Sequence, residues 1–155
     1  MPGPPPLRPF GLVLHHDGSW THEGQPILHR RMREHFDRSV RYLPGEGKYV
    51  VVLRHFRGEI EVEEAAFFVR DLDPQSGDVL LSDGSREPLE VASLRASPRD
   101  GAWLCTVKRA LAPGGLPARF DRGAQALLLG CVEERGGRAV AVLAGAAQAL
   151  PESLA

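Results

Sequence analysis

Three residues near the start of the chain, His15, His22 and Glu23, could bind a metal ion. Two imidazoles and a carboxylate form the ligand set of many metal sites that keep one coordination position open. Their spacing matches no metal-binding motif, and strand histidines beside a tryptophan, here Trp20, are common without any metal. We therefore predict no metal and no cofactor. A metal-dependent hydrolase that uses these three residues stays as the alternative.

The sequence lacks the common signatures of catalysis. It contains no G-x-S-x-G, no phosphate-binding P-loop and no G-x-G-x-x-G after a strand. Cys105 and Cys131 lie in apolar runs, which is atypical of a nucleophile or a zinc ligand. His22 and Glu23 are adjacent, and adjacent strand residues point to opposite faces, so we do not expect them to act on one substrate. We predict no catalytic residue and a protein that is not an enzyme.

A binding site is the stronger prediction. The chain has only two tryptophans, and they follow similar Asp-Gly turns in its two halves. We predict that both line a cleft between the halves, with charged side chains nearby that select the ligand. The predicted ligand-binding residues are Trp20, His22, Glu23, Trp103, Lys108 and Arg109.

A hairpin must position the histidines. Two short strands are joined by Asp17-Gly18, a dipeptide typical of a two-residue type I′ turn. Such a turn would pair His15 with Trp20. Because side chains alternate along a strand, one face would then carry Val13, His15, Trp20 and His22.

A helix is predicted over residues 28–43. Its apolar side chains recur at helical spacing and predict one buried stripe, made of Leu28, Met32, Phe36, Val40 and Leu43. The other face carries two charge ladders, Arg30-Glu34-Arg38 and Arg33-Asp37-Arg41. We interpret the arginines as a self-paired, solvated surface, which argues against nucleic-acid binding.

A second hairpin follows, with its turn predicted near Arg57-Gly58. Glu59, Glu61 and Glu63 would line its outer face, with Arg54 opposite Glu61. A protein-interaction scaffold that docks on these glutamates is a further alternative, although charge runs usually mark a solvated face.

The fold prediction rests on an internal repeat. Asp17-Gly18-Ser19-Trp20 is echoed by Asp100-Gly101-Ala102-Trp103, and Phe36-Asp37-Arg38 by Phe120-Asp121-Arg122. We predict an α+β fold of two similar α/β-motif halves, with mostly antiparallel strands packed on short helices. The predicted divisions are a disordered proline-rich leader over 1–9, a first half over 10–92 and a second half over 93–155.

Composition limits the classes of partner. With 155 residues, 43% hydrophobic and 25% charged content, the sequence is that of a globular protein. A net charge of −1 provides no field toward DNA or membrane, so we predict neither as a partner. The start has no signal-peptide pattern, and we expect a cytoplasmic protein. The expected partner is a small molecule or a protein, and a homodimer is left open.

Several short motifs occur in one order along the chain. They are Trp20, His22-Glu23-Gly24, Pro26-Ile27, residues 60–65, Phe67, and residues 103–111, 118–122 and 126–134. Together they resemble the bacterial family called domain of unknown function 1285, over residues 10–143. The chain departs from that pattern at 82–87 and in its Ala-rich C-terminus. The resemblance implies an α+β fold of repeated motifs and a regulatory role in signal transduction or small-molecule sensing.

Overall fold

A computed structural model describes residues 8–54 and 56–154. Contacts divide the chain into two compact units, Met1–Ala66 and Phe67–Ala155. Residues 1–7 of the predicted leader, 1–9, lie outside the described residues. Arg8 and Pro9 begin the first strand. Neither α-helix in the described ranges is long and apolar enough to cross a membrane.

The first unit contains a six-stranded sheet and one α-helix within the described ranges. Its elements are β1 (Arg8–Leu14), β2 (Trp20–His22), β3 (Gln25–Pro26), α1 (Arg30–Ser39), β4 (Val40–Leu43), β5 (Lys48–Leu53) and β6 (Phe56–Val62). The strands lie in the order β3-β2-β1-β6-β5-β4. All neighbours are antiparallel except β1 and β6, which run parallel. Two three-stranded meanders therefore meet at one parallel pair.

The second unit contains another six-stranded sheet, a helix and a small third sheet. Its elements are β7 (Phe67–Leu72), β8 (Asp78–Leu81), β9 (Arg86–Pro88), a 3₁₀ turn (Val91–Ser93), β10 (Arg95–Ala96), β11 (Trp103–Val107), β12 (Leu116–Phe120), α2 (Arg122–Leu129), β13 (Val132–Arg135), β14 (Arg138–Leu143), β15 (Ala146–Ala149) and a 3₁₀ turn (Glu152–Leu154). The large sheet has the order β10-β11-β12-β7-β8-β9, and β13-β14-β15 form the third. Within the large sheet only β7 and β12 run parallel.

The two large sheets share one topology. If the strands of each sheet are numbered one to six along the chain, the first sheet read from β3 to β4 has the order 3-2-1-6-5-4. The second sheet, read from β9 to β10, has the same order. In both, the parallel pair joins the first strand to the last. The predicted α+β fold of two similar, mostly antiparallel halves is confirmed. The predicted division into 10–92 and 93–155 rests on the sequence repeat and stays a prediction.

The repeated Asp-Gly motifs, however, do not occupy equivalent places. Asp17 lies between β1 and β2, the first and second strands, whereas Asp100 lies between the fourth and fifth strands of its sheet. Each carboxylate accepts a backbone N–H two residues on, from Ser19 at 2.9 Å and from Ala102 at 3.1 Å. The echo therefore reflects one kind of turn used at two positions, and the predicted register of the repeat is wrong.

The first hairpin pairs one residue away from the prediction. Leu14 lies opposite Trp20, and Val13 lies opposite Thr21. The His15 N–H donates to the Ser19 carbonyl at 2.9 Å, which leaves a three-residue loop whose last residue, Gly18, has a φ of 88°. A slip of one residue exchanges the faces of a strand, so Trp20 shares its face with leucines and not with His15.

A buried polar bond connects α1 to this hairpin. Trp20 is 1% exposed, and its indole Nε1 donates to Asp37 Oδ1 at 2.8 Å. The Trp20 and Phe36 rings lie 5.5 Å apart. This contact determines which side of α1 faces the sheet, and it includes Phe36, as the sequence predicts.

The rest of the predicted stripe is not buried in a helix. Leu28 and Met32 are 81% and 49% exposed, contrary to the prediction. The helix ends at Ser39, and Val40 begins β4, where it pairs with Val51 of β5. The β-forming residues of 40–43 complete the sheet edge and so override the helical periodicity.

We expect Asp37→Ala to lower the free energy of unfolding by about 2 kcal/mol, because it leaves the buried indole N–H without an acceptor. Asp37→Asn keeps an acceptor oxygen and should lower it less. Denaturant unfolding followed by tryptophan fluorescence measures both. An Asp37→Ala protein as stable as the wild type would contradict the structural role of this bond.

Candidate functional site

The predicted metal-binding residues are not brought together. His22 and Glu23 are exposed at the end of β2, and the Glu23 N–H donates to the Gly11 carbonyl at 2.9 Å. His15 bonds to Thr21 instead, whose side chain points away from the face of Trp20 and His22. The described residues contain no group of three or more His, Cys, Asp or Glu side chains that could hold a metal ion.

A different polar cluster forms in the first unit around Glu63. We call His15, His16, Thr21 and Glu63 the Glu63 cluster. His15 Nδ1 donates to Glu63 Oε2 at 3.0 Å, and His16 Nδ1 donates to the other carboxylate oxygen. Thr21 Oγ1 lies 2.9 Å from His15 Nε2. One carboxylate thus bridges both histidines of the hairpin loop.

The histidines change the acidity of that carboxylate. Hydrogen bonds from His15, and then from His16, lower the pKa of Glu63 to about 2. The sequence does not indicate this role, because the predicted hairpin places Glu63 on a solvated face. β6 lies beside β1 in the sheet, so Glu63, which follows β6, reaches the loop that follows β1. No local pattern indicates a contact over such a distance in sequence.

The outward glutamates of the second hairpin are also placed differently. Leu53 lies opposite Phe56 and Val50 opposite Glu59, so the chain does not turn at Arg57-Gly58 as predicted, and the predicted pair of Arg54 and Glu61 does not form. Glu59 lies 3.7 Å from the ammonium of Lys48. Because β6 lies between β1 and β5, the backbone of the predicted docking strand is already paired on both sides.

A second polar cluster forms in the second unit around Lys108. We call Asp83, Ser85, Glu87 and Lys108, together with the Phe67 ring, the Lys108 cluster. Lys108 Nζ lies 2.7 Å from Asp83 Oδ2, and the two side chains are only 13% and 9% exposed. The same ammonium donates to Ser85 Oγ at 3.1 Å and lies 4.8 Å from the centroid of the Phe67 ring.

Lys108 also has an unusual backbone. Its φ of 52° lies in the left-handed region, which costs an ordinary residue about 1–2 kcal/mol. Its N–H donates to the Glu87 carboxylate at 3.1 Å, which holds the backbone in this conformation. Burial alone would raise the pKa of Asp83, but hydrogen bonds from Lys108 and Ser85 keep it below the ordinary value. The pair is therefore charged and nearly closed to solvent.

The other predicted ligand-binding residues of this unit have separate partners. Arg109 makes two bonds of 2.6 Å to Glu90 on the surface. Trp103 is half-buried, and its N–H donates to Gln125 Oε1 at 3.1 Å. Trp103 begins β11 and Lys108 follows its end, which separates them by about 16 Å along the strand. Ligand binding by the six predicted residues, and their cleft, stay predictions.

The low pKa of Glu63 predicts a pH-dependent stability. A carboxylate whose folded pKa is below its unfolded value stabilises the fold above the unfolded pKa and loses that effect as pH falls. The stability difference between wild type and Glu63→Gln should therefore be full at neutral pH and shrink between about pH 5 and about pH 2. Unfolding titrations across this range measure it. Glu61→Gln changes an exposed carboxylate two residues earlier and is the matched control. An equal effect of both changes would contradict the prediction.

The buried ion pair predicts a large stability loss. Lys108→Met leaves Asp83 unpaired and should lower the free energy of unfolding by about 3–5 kcal/mol. The double change Lys108→Met with Asp83→Leu removes both charges and should recover most of that loss. Arg109→Met, which breaks an exposed pair, should have a much smaller effect. If the double change is no better than the single one, the pair is not what holds this region.

Comparisons with known proteins address the fold. No family model and no curated protein matches the sequence. A DUF1285 family protein of Silicibacter pomeroyi DSS-3 is similar in structure, with a TM-score of 0.63 and 20% identity, over 94% of this chain and 82% of that one. A DUF1285 family protein of Shewanella baltica OS155 aligns with a TM-score of 0.51 and 15% identity, over 77% and 91%. The chain therefore has the DUF1285 fold, and the resemblance seen in its sequence is confirmed at that level.

Proposed function

We propose that the protein is a regulatory or signalling module that binds a partner and catalyses no reaction. Its expected location is the cytoplasm, and its favoured partner is another protein. A small molecule is the second candidate. These roles go beyond the fold similarity, which concerns proteins of unknown function.

The contacts of the polar residues support binding over catalysis. His15 and His22 do not converge with Glu23, so the proposed hydrolase has no assembled ligand set among the described residues. The ammonium of Lys108 and the guanidinium of Arg109 are each bonded to a carboxylate. Catalytic groups are usually directed at a position that a substrate can reach, whereas these groups are occupied within the fold.

The exposure of two large apolar side chains carries the proposal. Leu28 and Met32, four residues apart beside and on α1, are 81% and 49% exposed. Single exposed apolar residues are common, whereas two that lie close together in the chain favour a surface that a protein partner covers. Their position at the start of a short helix favours a partner that packs against this end of α1.

The small-molecule candidate rests on Lys108. Lys108 has a backbone in the left-handed region and a buried charge, and both features cost free energy. Residues with a strained backbone are concentrated at functional sites. A ligand there would compete with Asp83 for the ammonium. Its test is a thermal-shift screen of metabolites and nucleotides, in which a true ligand raises the melting temperature of wild type but not of Lys108→Arg.

Partner capture tests the favoured candidate. We expect the tagged full chain to retain a defined protein from cell extract, and Leu28→Ser with Met32→Ser to release it because the apolar contact is lost. Val52→Thr, which changes an exposed apolar residue of β5, should keep the partner and serves as the matched control. A partner that all three proteins retain equally, or no partner at all, would count against this function for α1.

A further inference from the structure

We propose that the exposed side of α1 docks an acidic protein segment that presents apolar side chains among its carboxylates. The inference rests on the proposed function and specifies the chemistry of the partner. The α1 surface consists of Leu28, Arg31, Met32, His35 and Arg38, all of them exposed. Arg31, Met32, His35 and Arg38 lie on α1, where spacings of three and four residues make them neighbours, and Leu28 lies just before the helix.

Asp37 does not pair with the two arginines that the sequence assigns to it. The sequence predicts that Asp37 neutralises Arg33 and Arg41, but its carboxylate is buried and accepts the indole N–H of Trp20. Arg33 Nε is buried without a hydrogen-bond partner in the described part of the chain. Arg41 donates to the backbone carbonyls of residues 38 and 40. The second predicted charge ladder is therefore absent.

The first ladder forms only in part. Arg30 Nε donates to Glu34 Oε1 at 2.9 Å, so the Arg30 and Glu34 part of this ladder is present. Arg31 and Arg38 have no carboxylate partner among the described residues. An exposed guanidinium without a carboxylate partner can accept one from another molecule in a two-bond geometry. The α1 surface thus offers two such guanidiniums on either side of Met32 and His35.

The apolar residues select the kind of acidic partner. Leu28 and Met32 lie on either side of Arg31 in the chain and are both exposed, so we expect a bound segment to bring apolar side chains as well as carboxylates. A long polyanion needs many phosphate contacts and a basic field, whereas the whole chain has a net charge of −1. An anionic membrane would also act on a larger basic area. The charge and size of the α1 surface therefore favour a short acidic stretch of protein.

Direct binding of synthetic probes tests this inference. The probe is a fluorescent peptide that alternates Glu or Asp with Leu, and its controls replace the acids by Gln or the leucines by Ser. A single-stranded oligonucleotide and phosphatidylglycerol vesicles are measured in parallel. The protein is the full chain as wild type, Arg31→Glu with Arg38→Glu, Met32→Ser, and Arg122→Glu as an exposed helix arginine outside α1.

We expect the acidic peptide to bind wild type and Arg122→Glu alike, and to bind the double charge reversal about tenfold or more weakly. Met32→Ser and the Gln and Ser control peptides should also weaken binding, and added salt should reduce it. Equal binding to all variants would overturn the inference, as would binding of only the oligonucleotide or vesicles, or no binding of any probe. If a captured partner is released by the Leu28 and Met32 changes while the acidic peptide fails, the proposed function stands and only the acidic chemistry is wrong.

Discussion

The pairing of Leu14 with Trp20 is the constraint on which the first unit depends. It places the indole on the same face as Leu12 and Leu14, where all three are buried. With the predicted two-residue turn, Trp20 would lie opposite His15, and the indole would share a face with that histidine and meet polar groups instead. The three-residue loop ending at Gly18 sets this register, so a local turn determines the contents of the core.

The position of Trp20 then determines the chemistry of α1. A buried indole N–H needs an acceptor, and Asp37 supplies one from the helix. That use of Asp37 removes a carboxylate from the helix surface and leaves the arginines there in excess. The inward orientation of Asp37 thus provides a core hydrogen bond and also withdraws one negative charge from the exterior of α1.

The sequence indicates local structure well and distant contacts poorly. α1 lies within the predicted helical range, and a turn occurs at Asp17-Gly18 as expected. The helix was predicted too long because Leu28, Met32 and Val40 fit a helical period. In the structure Val40 belongs to β4, where it pairs with β5. The Glu63 cluster could not be predicted, because it needs the parallel neighbours β1 and β6, which lie far apart in sequence. His15 and Lys108 were named from the sequence for other roles, and their contacts with Glu63 and Asp83 were not predicted.

The shared topology allows the two units to be compared position by position. The turn from the second to the third strand carries Glu23-Gly24 in one sheet and Asp83-Gly84 in the other, and the fifth strand is followed by Arg54 or by Lys108. Acid and base therefore stand at equivalent places in both. In the second unit they form a nearly closed ion pair, whereas Glu23 and Arg54 are exposed and, among the described residues, unpaired. The first unit instead has its buried acid on α1, where the second has only the 3₁₀ turn Val91–Ser93. The same frame thus holds one acid and one base as a buried ion pair in the second unit and leaves the equivalent two residues exposed in the first.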